Sequence, residues 1–250
     1  MPTLAAFLQQ VGQELLNLVF PPQCAVCRTP GALLCDSCLQ QFPRVAAPIC
    51  DRCGCPTDQP GICSACRRSP PSIDGVRSVI VLTDGARQAV HRFKYEGASA
   101  LAAPLADLMA DYWSRHPLPA DVWVAVPLHI ARERERGYNQ SYLLGREFGQ
   151  RVGLPPLSGT LKRARRTRPQ VGLAAPERRV NVEKAFTYCP PRQGDGVRGL
   201  RVLLVDDVCT TGATLEACSV ALMAAGAVSV WGFTLARAAY LSETHSTGNW

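Results

Sequence analysis

The sequence predicts an α/β protein: a mainly parallel sheet flanked by helices, with a small cysteine-rich module before it. From residue 76 onwards, apolar segments of strand length alternate with segments of helical periodicity, and this alternation is typical of parallel sheets. Between residues 24 and 66 lie nine of the 12 cysteines. A length of 250 residues suits one domain of ordinary size and a smaller unit beside it.

The predicted elements of the larger domain follow from hydrophobic spacing. Strands are expected at 76–82, 122–128, 185–188, 201–207 and 228–236, and helices at 85–95, 101–116, 139–152 and 214–226. Gly226 is expected to cap the last helix at its C-terminal end. The basic segment 162–184 lacks apolar periodicity, so we expect a mobile loop there.

The chain divides by composition into four parts. Residues 1–20 have apolar residues at helical spacing, residues 21–70 form the cysteine-rich module, residues 71–240 the larger domain and residues 241–250 a disordered tail. The amphipathic helix is expected to pack on the protein body, with a membrane-surface role as the alternative. Because no run of 18 apolar residues and no basic signal-peptide start occurs, we expect no transmembrane segment and a cytoplasmic location.

Four C-x-x-C pairs predict structural zinc. Each knuckle aims two thiolates at one ion, two knuckles complete a closed tetrahedral site, and an intracellular chain favours metal over disulfides. Neighbouring pairs would hold one or two ions, although a crossed pairing or a single occupied site is open. Cys55 either replaces a neighbour or is an unligated thiol. The eight expected ligands are Cys24, Cys27, Cys35, Cys38, Cys50, Cys53, Cys63 and Cys66.

A phosphate- and ribose-binding loop is predicted at residues 202–215. An apolar strand ends in Asp206 and Asp207, and a turn of small and hydroxyl residues then leads into a helix, so backbone N–H groups and hydroxyls can cradle a phosphate. Carboxylates would repel a phosphate alone, but they suit the vicinal hydroxyls of a ribose. The sequence lacks the G-K-[ST] of a P-loop nucleotidase. The expected phosphate-binding residues are Thr210, Thr211, Gly212, Ala213 and Thr214.

The excess positive charge lies in one stretch of the chain. Residues 129–184 hold 13 Lys and Arg against 5 Asp and Glu, whereas the remainder holds 14 against 15. Such a stretch indicates an anionic partner, either phosphates or nucleic acid, and a solvated surface is the alternative.

The string VDDVCTTGAT (205–214) resembles the phosphoribosyl pyrophosphate (PRPP) loop of type I phosphoribosyltransferases. Together with HRFKYEG (91–97), RERERGYNQ (132–140), the basic segment 162–186 and the cysteine array, it resembles the ComF/GntX family over residues 15–238. The resemblance implies that Asp206 and Asp207 contact the ribose hydroxyls, that residues 210–214 bind the 5′-phosphate and that Mg²⁺ accompanies PRPP.

The same resemblance implies further ligand contacts. Arg132, Arg136 and Gln140 would lie near the pyrophosphate, Arg166 and Gln170 would belong to a hood over the site, and Lys94 and Tyr95 are additional candidates. The residues expected to anchor the hood are Arg178, Arg179 and Asn181.

The family resemblance implies a PRPP-binding protein that acts in DNA uptake or utilisation and binds single-stranded DNA, with a helicase as partner. The alternative is an active phosphoribosyltransferase that moves a phosphoribosyl group from PRPP to an unknown acceptor, with Asp206 and Asp207 as the catalytic candidates. A structural adaptor that retains the loop without using it is a third hypothesis.

Overall fold

A computed structural model describes residues 21–157, 159, 161–164, 185–190 and 196–239. The strands are β1 (Gly75–Leu82), β2 (Val122–Ala125), β3 (Leu161–Arg163), β4 (Phe186–Tyr188), β5 (Arg201–Cys209) and β6 (Ser229–Ala238). The helices are α1 (Asp36–Gln40), α2 (Ser64–Arg68), α3 (Asp84–Tyr95), α4 (Ala102–Arg115), α5 (Ile130–Arg136), α6 (Gln140–Val152) and α7 (Ala213–Ala224), with a 3₁₀ turn at Ser99–Leu101.

The main sheet has the strand order β1-β6-β5-β2, and every neighbouring pair is parallel. The inner strands β5 and β6 carry long apolar runs because both of their faces are covered, as expected for parallel strands. Strands β3 and β4 form a separate antiparallel hairpin. The predicted α/β class, with helices flanking a mainly parallel sheet, is therefore confirmed.

Helices α3, α4 and α6 cover one face of the sheet. The core between them includes Phe93, Met109, Phe148 and Phe233. Helix α6 lies close to β2 because it presents glycine there: a Cβ at Gly145 would stand 2.4 Å from the Trp123 ring. The other face is covered by α7 and the β3–β4 hairpin.

The cysteine-rich module is docked on the edge of the sheet beside β1. Residues 43–45 run along β1, where the Val81 N–H donates to the Pro43 carbonyl at 2.8 Å and the Val45 N–H to the Val79 carbonyl at 3.1 Å. Cys24, Cys38 and Phe42 are buried in the same core as the sheet. The module therefore shares its apolar packing with the larger domain.

Most predicted elements are observed within one to three residues of their expected bounds. The strand predicted at 122–128 ends at Ala125, and residues 130–136 form helix α5, which was not predicted. Lys162 and Arg163, assigned to a loop, lie in β3 because β4 offers them backbone partners. Gly226 adopts φ +98°, two residues beyond the last residue of α7. The predicted N-terminal helix, the tail and most of the 162–184 segment lie outside the described residues.

Candidate functional site

Two adjacent carboxylates lie near the carboxyl end of β5, one of the two inner strands. Asp207 is only 4% exposed, whereas Asp206 is half-buried. Because successive residues of a strand project to opposite faces, the two side chains approach different neighbours. The carboxyl edge of a parallel sheet is where α/β proteins place their ligands.

The Asp206 carboxylate is held by two hydrogen bonds. Its Oδ1 accepts from the Ser141 hydroxyl at 2.7 Å and from the Asp207 N–H at 2.9 Å. Burial, followed by the neighbouring Asp207 charge, raises the pKa of Asp206 to about 7. Ser141 was not among the site residues predicted from the sequence. Its position in the first turn of α6, next to the carboxyl edge of the sheet, could have indicated it.

Lys94, near the end of α3, neutralises the second carboxylate. Its Nζ lies 3.0 Å from Asp207 Oδ2. A buried carboxylate without a counter-charge would be costly, so this pairing explains how Asp207 is accommodated at the edge of the core. The structure thus brings Lys94, a candidate from sequence, to the acidic pair.

The hydroxyl-rich loop connects β5 to α7. Gly212 adopts φ +80°, a left-handed conformation that turns the chain into the helix. The Ala213 N–H donates to Thr211 Oγ1 at 3.4 Å. A small pocket lies against the loop and is lined by Asp206, Val208, Cys209, Thr210, Gly212, Ala213, Thr214 and Leu215. The structure therefore brings Asp206 and four of the five predicted phosphate-binding residues together around one concave surface, with Thr211 in the same loop and Asp207 adjoining it in β5.

Arginine side chains lie on α5 and in the β3–β4 hairpin. Arg136 donates to the Gln140 amide oxygen, and its guanidinium lies 4.9 Å from the centre of the Tyr95 ring. Burial, and then the like charge of Arg132, lowers the pKa of Arg163. Arg132 on α5 and Arg163 on β3 therefore contribute positive charge to the same region.

The hood residues predicted from the family resemblance lie outside the described part of the chain. These are Arg166, Gln170, Arg178, Arg179 and Asn181.

The first cysteine cluster has the geometry of a zinc site. The Sγ atoms of Cys24, Cys27, Cys35 and Cys38 all lie within 4.8 Å of one another. Cys27 and Cys35 are 3.6 Å apart, close to the ~3.8 Å expected for two thiolates bound tetrahedrally at ~2.3 Å from zinc. Burial raises the pKa of Cys24, but hydrogen bonds from the Cys35 and Val26 N–H groups outweigh it and lower the pKa to about 6.

The second cluster fits zinc by the same criteria. Cys50, Cys53, Cys55 and Cys63 lie within 4.8 Å of one another, and the Cys53 and Cys63 sulfurs are 3.8 Å apart. The Cys63 N–H donates to Cys50 Sγ at 3.3 Å. Cys66, an expected ligand, is buried in the same cluster but lies outside this group of four. Both clusters thus support the expectation of structural zinc.

Comparison with known families agrees with this arrangement. A family model described as a double zinc ribbon domain matches residues 15–67.

No helix within the described ranges combines the length and apolar character that a membrane span requires.

Curated relatives match over most of the chain. The DNA utilization protein YhgH of Salmonella typhi is 35% identical over 231 residues, which cover 88% of this chain and 99% of the relative. Competence protein F of Haemophilus influenzae is 33% identical, with 82% and 90% covered. Competence protein ComFC of Bacillus subtilis is 29% identical, with 83% and 85% covered.

Among solved structures, a glutamine PRPP amidotransferase from B. subtilis matches at 20% identity and TM-score 0.39, covering 58% of this chain and 30% of that one. Adenine phosphoribosyltransferase from Leishmania donovani matches at 16% identity and TM-score 0.32, covering 58% and 68%. Because both TM-scores are low, these two similarities do not support the fold assignment, which follows from the strand order of the sheet.

A parallel sheet with an acidic pair and a hydroxyl loop at the end of an inner strand defines an α/β domain whose candidate site lies at the carboxyl edge, here preceded by a zinc-ribbon module. The chain belongs to the ComF/GntX family of competence and DNA utilization proteins.

Proposed function

We propose that this protein binds PRPP, together with Mg²⁺, at the carboxyl edge of its sheet. The proposal rests on one observation. Asp206 and Asp207 lie at the same edge of the sheet as the hydroxyl loop at residues 210–214, which follows them directly in the chain. The carboxylates accept hydrogen bonds from the ribose hydroxyls, and the loop N–H groups and hydroxyls bind the 5′-phosphate.

Charge balance supports a ligand with several phosphates. Lys94 already offsets Asp207, and protonation of Asp206 near neutral pH lowers the negative charge further. Arg132, Arg136 and Gln140 on α5 and α6 supply donors for the pyrophosphate, since arginine forks bind phosphate oxygens bidentately. The hood residues Arg166 and Gln170 complete this side in the proposal.

Mg²⁺ fits the chemistry of the acidic pair, because hard cations prefer carboxylate, phosphate and water oxygens. Asp206 and Asp207 are the residues that would face the ion, directly or through water. When bound, the ion neutralises charge on the pyrophosphate.

Calorimetric titration of the zinc-loaded protein with PRPP and Mg²⁺ tests the proposal. We expect saturable binding that Asp206→Asn and Asp207→Asn each weaken by at least ~10-fold, because a hydrogen bond to a charged group is worth roughly 1.5–3 kcal/mol. Asp111→Asn, on the exposed face of α4, is the matched control and should leave the affinity unchanged. Absence of binding to the wild-type protein, or equal affinity in all four proteins, would reject the proposal and favour a structural adaptor.

The proposal extends to single-stranded DNA, with a DNA-translocating helicase as partner in the cytoplasm. Arg132, Arg134, Arg136 and Lys162 stand outside the ion pairs of the described residues, and they supply the positive charge that a phosphate backbone would meet. Of the aromatic residues near them, Tyr95 is 62% and Tyr142 is 40% exposed, whereas Phe148 is fully buried. A basic surface with exposed rings suits single strands, which combine backbone contacts with base stacking.

Anisotropy of a labelled oligonucleotide measures this interaction. We expect binding at ~50 mM salt that weakens steeply towards ~200 mM, because bound counterions are released. The double variant Arg132→Glu/Arg134→Glu should abolish binding. Arg198→Glu, in the exposed turn before β5 at the opposite edge of the sheet, is the control and should not. Binding that is indifferent to salt or to the double variant would exclude this surface.

Turnover of PRPP is the second candidate function. It is favoured by Arg163 on β3, which interacts electrostatically with Asp206, since cationic groups stabilise a departing pyrophosphate. Pyrophosphate release from PRPP, measured across a panel of nucleobases, separates the two functions. A signal with one base identifies a transferase and its acceptor, and a flat trace with intact PRPP binding identifies a binding protein.

A further inference from the structure

The two zinc clusters differ in the number of thiols that they contain. The first has four cysteines, and all four sulfurs form one compact group. The second has five, because Cys55 lies inside the compact group and Cys66 belongs to the same buried cluster. A structural zinc ion takes four ligands, so the second cluster holds one thiol more than it needs.

Cys55 is placed by the knuckle turn itself. The Cys50 N–H donates to the Cys55 carbonyl at 2.8 Å, and the Gly54 N–H donates to the Cys50 carbonyl at 2.9 Å. Gly54 has φ +66°, and a Cβ there would lie 2.2 Å from the Val76 carbonyl oxygen, so the turn is pressed against the start of β1. The Cys55 sulfur is thereby held 3.2 Å from that of Cys53.

Cys66 reaches the cluster from a different element. It lies on the short helix α2, which begins directly after Cys63, so its position depends on the orientation of that helix. Cys55 and Cys66 are both only 8% exposed. The thiols of Cys55 and Cys66, which are held by different elements, therefore both lie close to the fourth ligand position. The other three cysteines of the cluster have no such alternative among the described residues.

We propose that Cys55 and Cys66 are alternative fourth ligands of the second zinc ion, with Cys50, Cys53 and Cys63 as its constant ligands. The thiolate that leaves the ion stays buried beside it and can return, so the centre exchanges one ligand without releasing its metal. Among the described residues, the first cluster has no fifth thiol and therefore lacks this property. The inference does not depend on PRPP or DNA binding.

Cobalt substitution of the full chain tests the proposal, because the intensity of the sulfur-to-cobalt charge-transfer bands scales with the number of bound thiolates. We expect Cys55→Ala and Cys66→Ala each to retain the tetrathiolate spectrum and both metal ions by native mass spectrometry. The double variant should lose one thiolate and give up the second ion to a chelator. Cys38→Ala, in the first cluster, is the matched control. This single substitution should already remove one thiolate from the spectrum.

A reduced spectrum in either single variant of the second cluster would overturn the proposal, since it would identify that cysteine as the sole fourth ligand. Wild-type protein loaded with ¹¹³Cd provides a measurement that needs no variant to fold. Correlations from the ion to the Cβ protons of both Cys55 and Cys66 are expected. Correlations to one of them alone would also overturn the proposal.

Discussion

The ammonium group of Lys94 on α3 lies 3.0 Å from Oδ2 of Asp207 on β5, with 21% and 5% of the two side chains exposed. This pair joins a helix from one face of the sheet to the strand that leads into the candidate ligand loop. A carboxylate withdrawn from solvent is thus paired with a cation from another part of the chain.

Removal of Lys94 should destabilise the protein. Lys94→Met leaves Asp207 without its partner, and we expect the free energy of unfolding to fall by roughly 2 kcal/mol, less than the ~3–5 kcal/mol typical of fully buried pairs, because Lys94 keeps some contact with water. Urea denaturation measures the change. The double variant Lys94→Met/Asp207→Asn should recover most of it, and a double variant as unstable as the single one would argue against the pair.

Stability should depend on the protonation of Asp206. Its pKa is raised from 3.8 to about 7, so the folded state binds the proton more tightly than the unfolded state does. The contribution of this group to the free energy of unfolding therefore declines as the pH rises from about 4 to about 7. Asp206→Asn should flatten that slope in urea titrations taken across the interval.

Asp121 supplies the control for this slope. Hydrogen bonds from Arg201 lower the pKa of Asp121 to about 2, so it titrates below the interval. Asp121→Asn should reduce stability without changing the slope between about pH 5 and about 7, since its pKa in the folded state and its ordinary value of 3.8 both lie below that range. An unchanged slope in Asp206→Asn would contradict the assignment of the titration to Asp206.

The left-handed turn at Gly212 should be required for PRPP binding. Gly212→Ala places a Cβ in a conformation that costs ~1–2 kcal/mol, and relief of that strain would move the loop N–H groups. Gly226→Ala imposes similar strain, at φ +98°, beyond the far end of α7. We expect comparable losses of thermal stability in both variants but weaker PRPP binding, by calorimetry, only for Gly212→Ala.

The second zinc cluster should depend on a residue of the sheet. Arg237 on β6 is 2% exposed and donates from its guanidinium to the Cys53 carbonyl. Arg237→Met removes a charged hydrogen bond worth roughly 1.5–3 kcal/mol, and zinc release to a chelator should accelerate. Arg52→Met is the control, because Arg52 joins the module to Asp74 at a more exposed position. Equal release rates in the two variants would exclude a special role for Arg237.

Local patterns carried most of the fold prediction. Apolar runs located β1, β5 and β6 because strands covered on both faces have no polar alternation to obscure them. The helix at 130–136 was missed because its arginines and glutamates show no apolar face, and none of its residues is buried. The beginning of the hairpin at Leu161–Arg163 was missed because a short strand is defined by its partner.

The sequence by itself determined which chemical groups are available: adjacent acids before a hydroxyl turn, and pairs of cysteines at zinc spacing. These features are short-range, so residue order alone places their members together. Only the tertiary structure decided that Ser141 donates to Asp206, that Lys94 neutralises Asp207 and that Cys55 lies inside the second cluster. The first two contacts join elements that are distant in the chain, and the third depends on the path of a turn. Residue order does not determine either of these, because they follow from how the elements pack together.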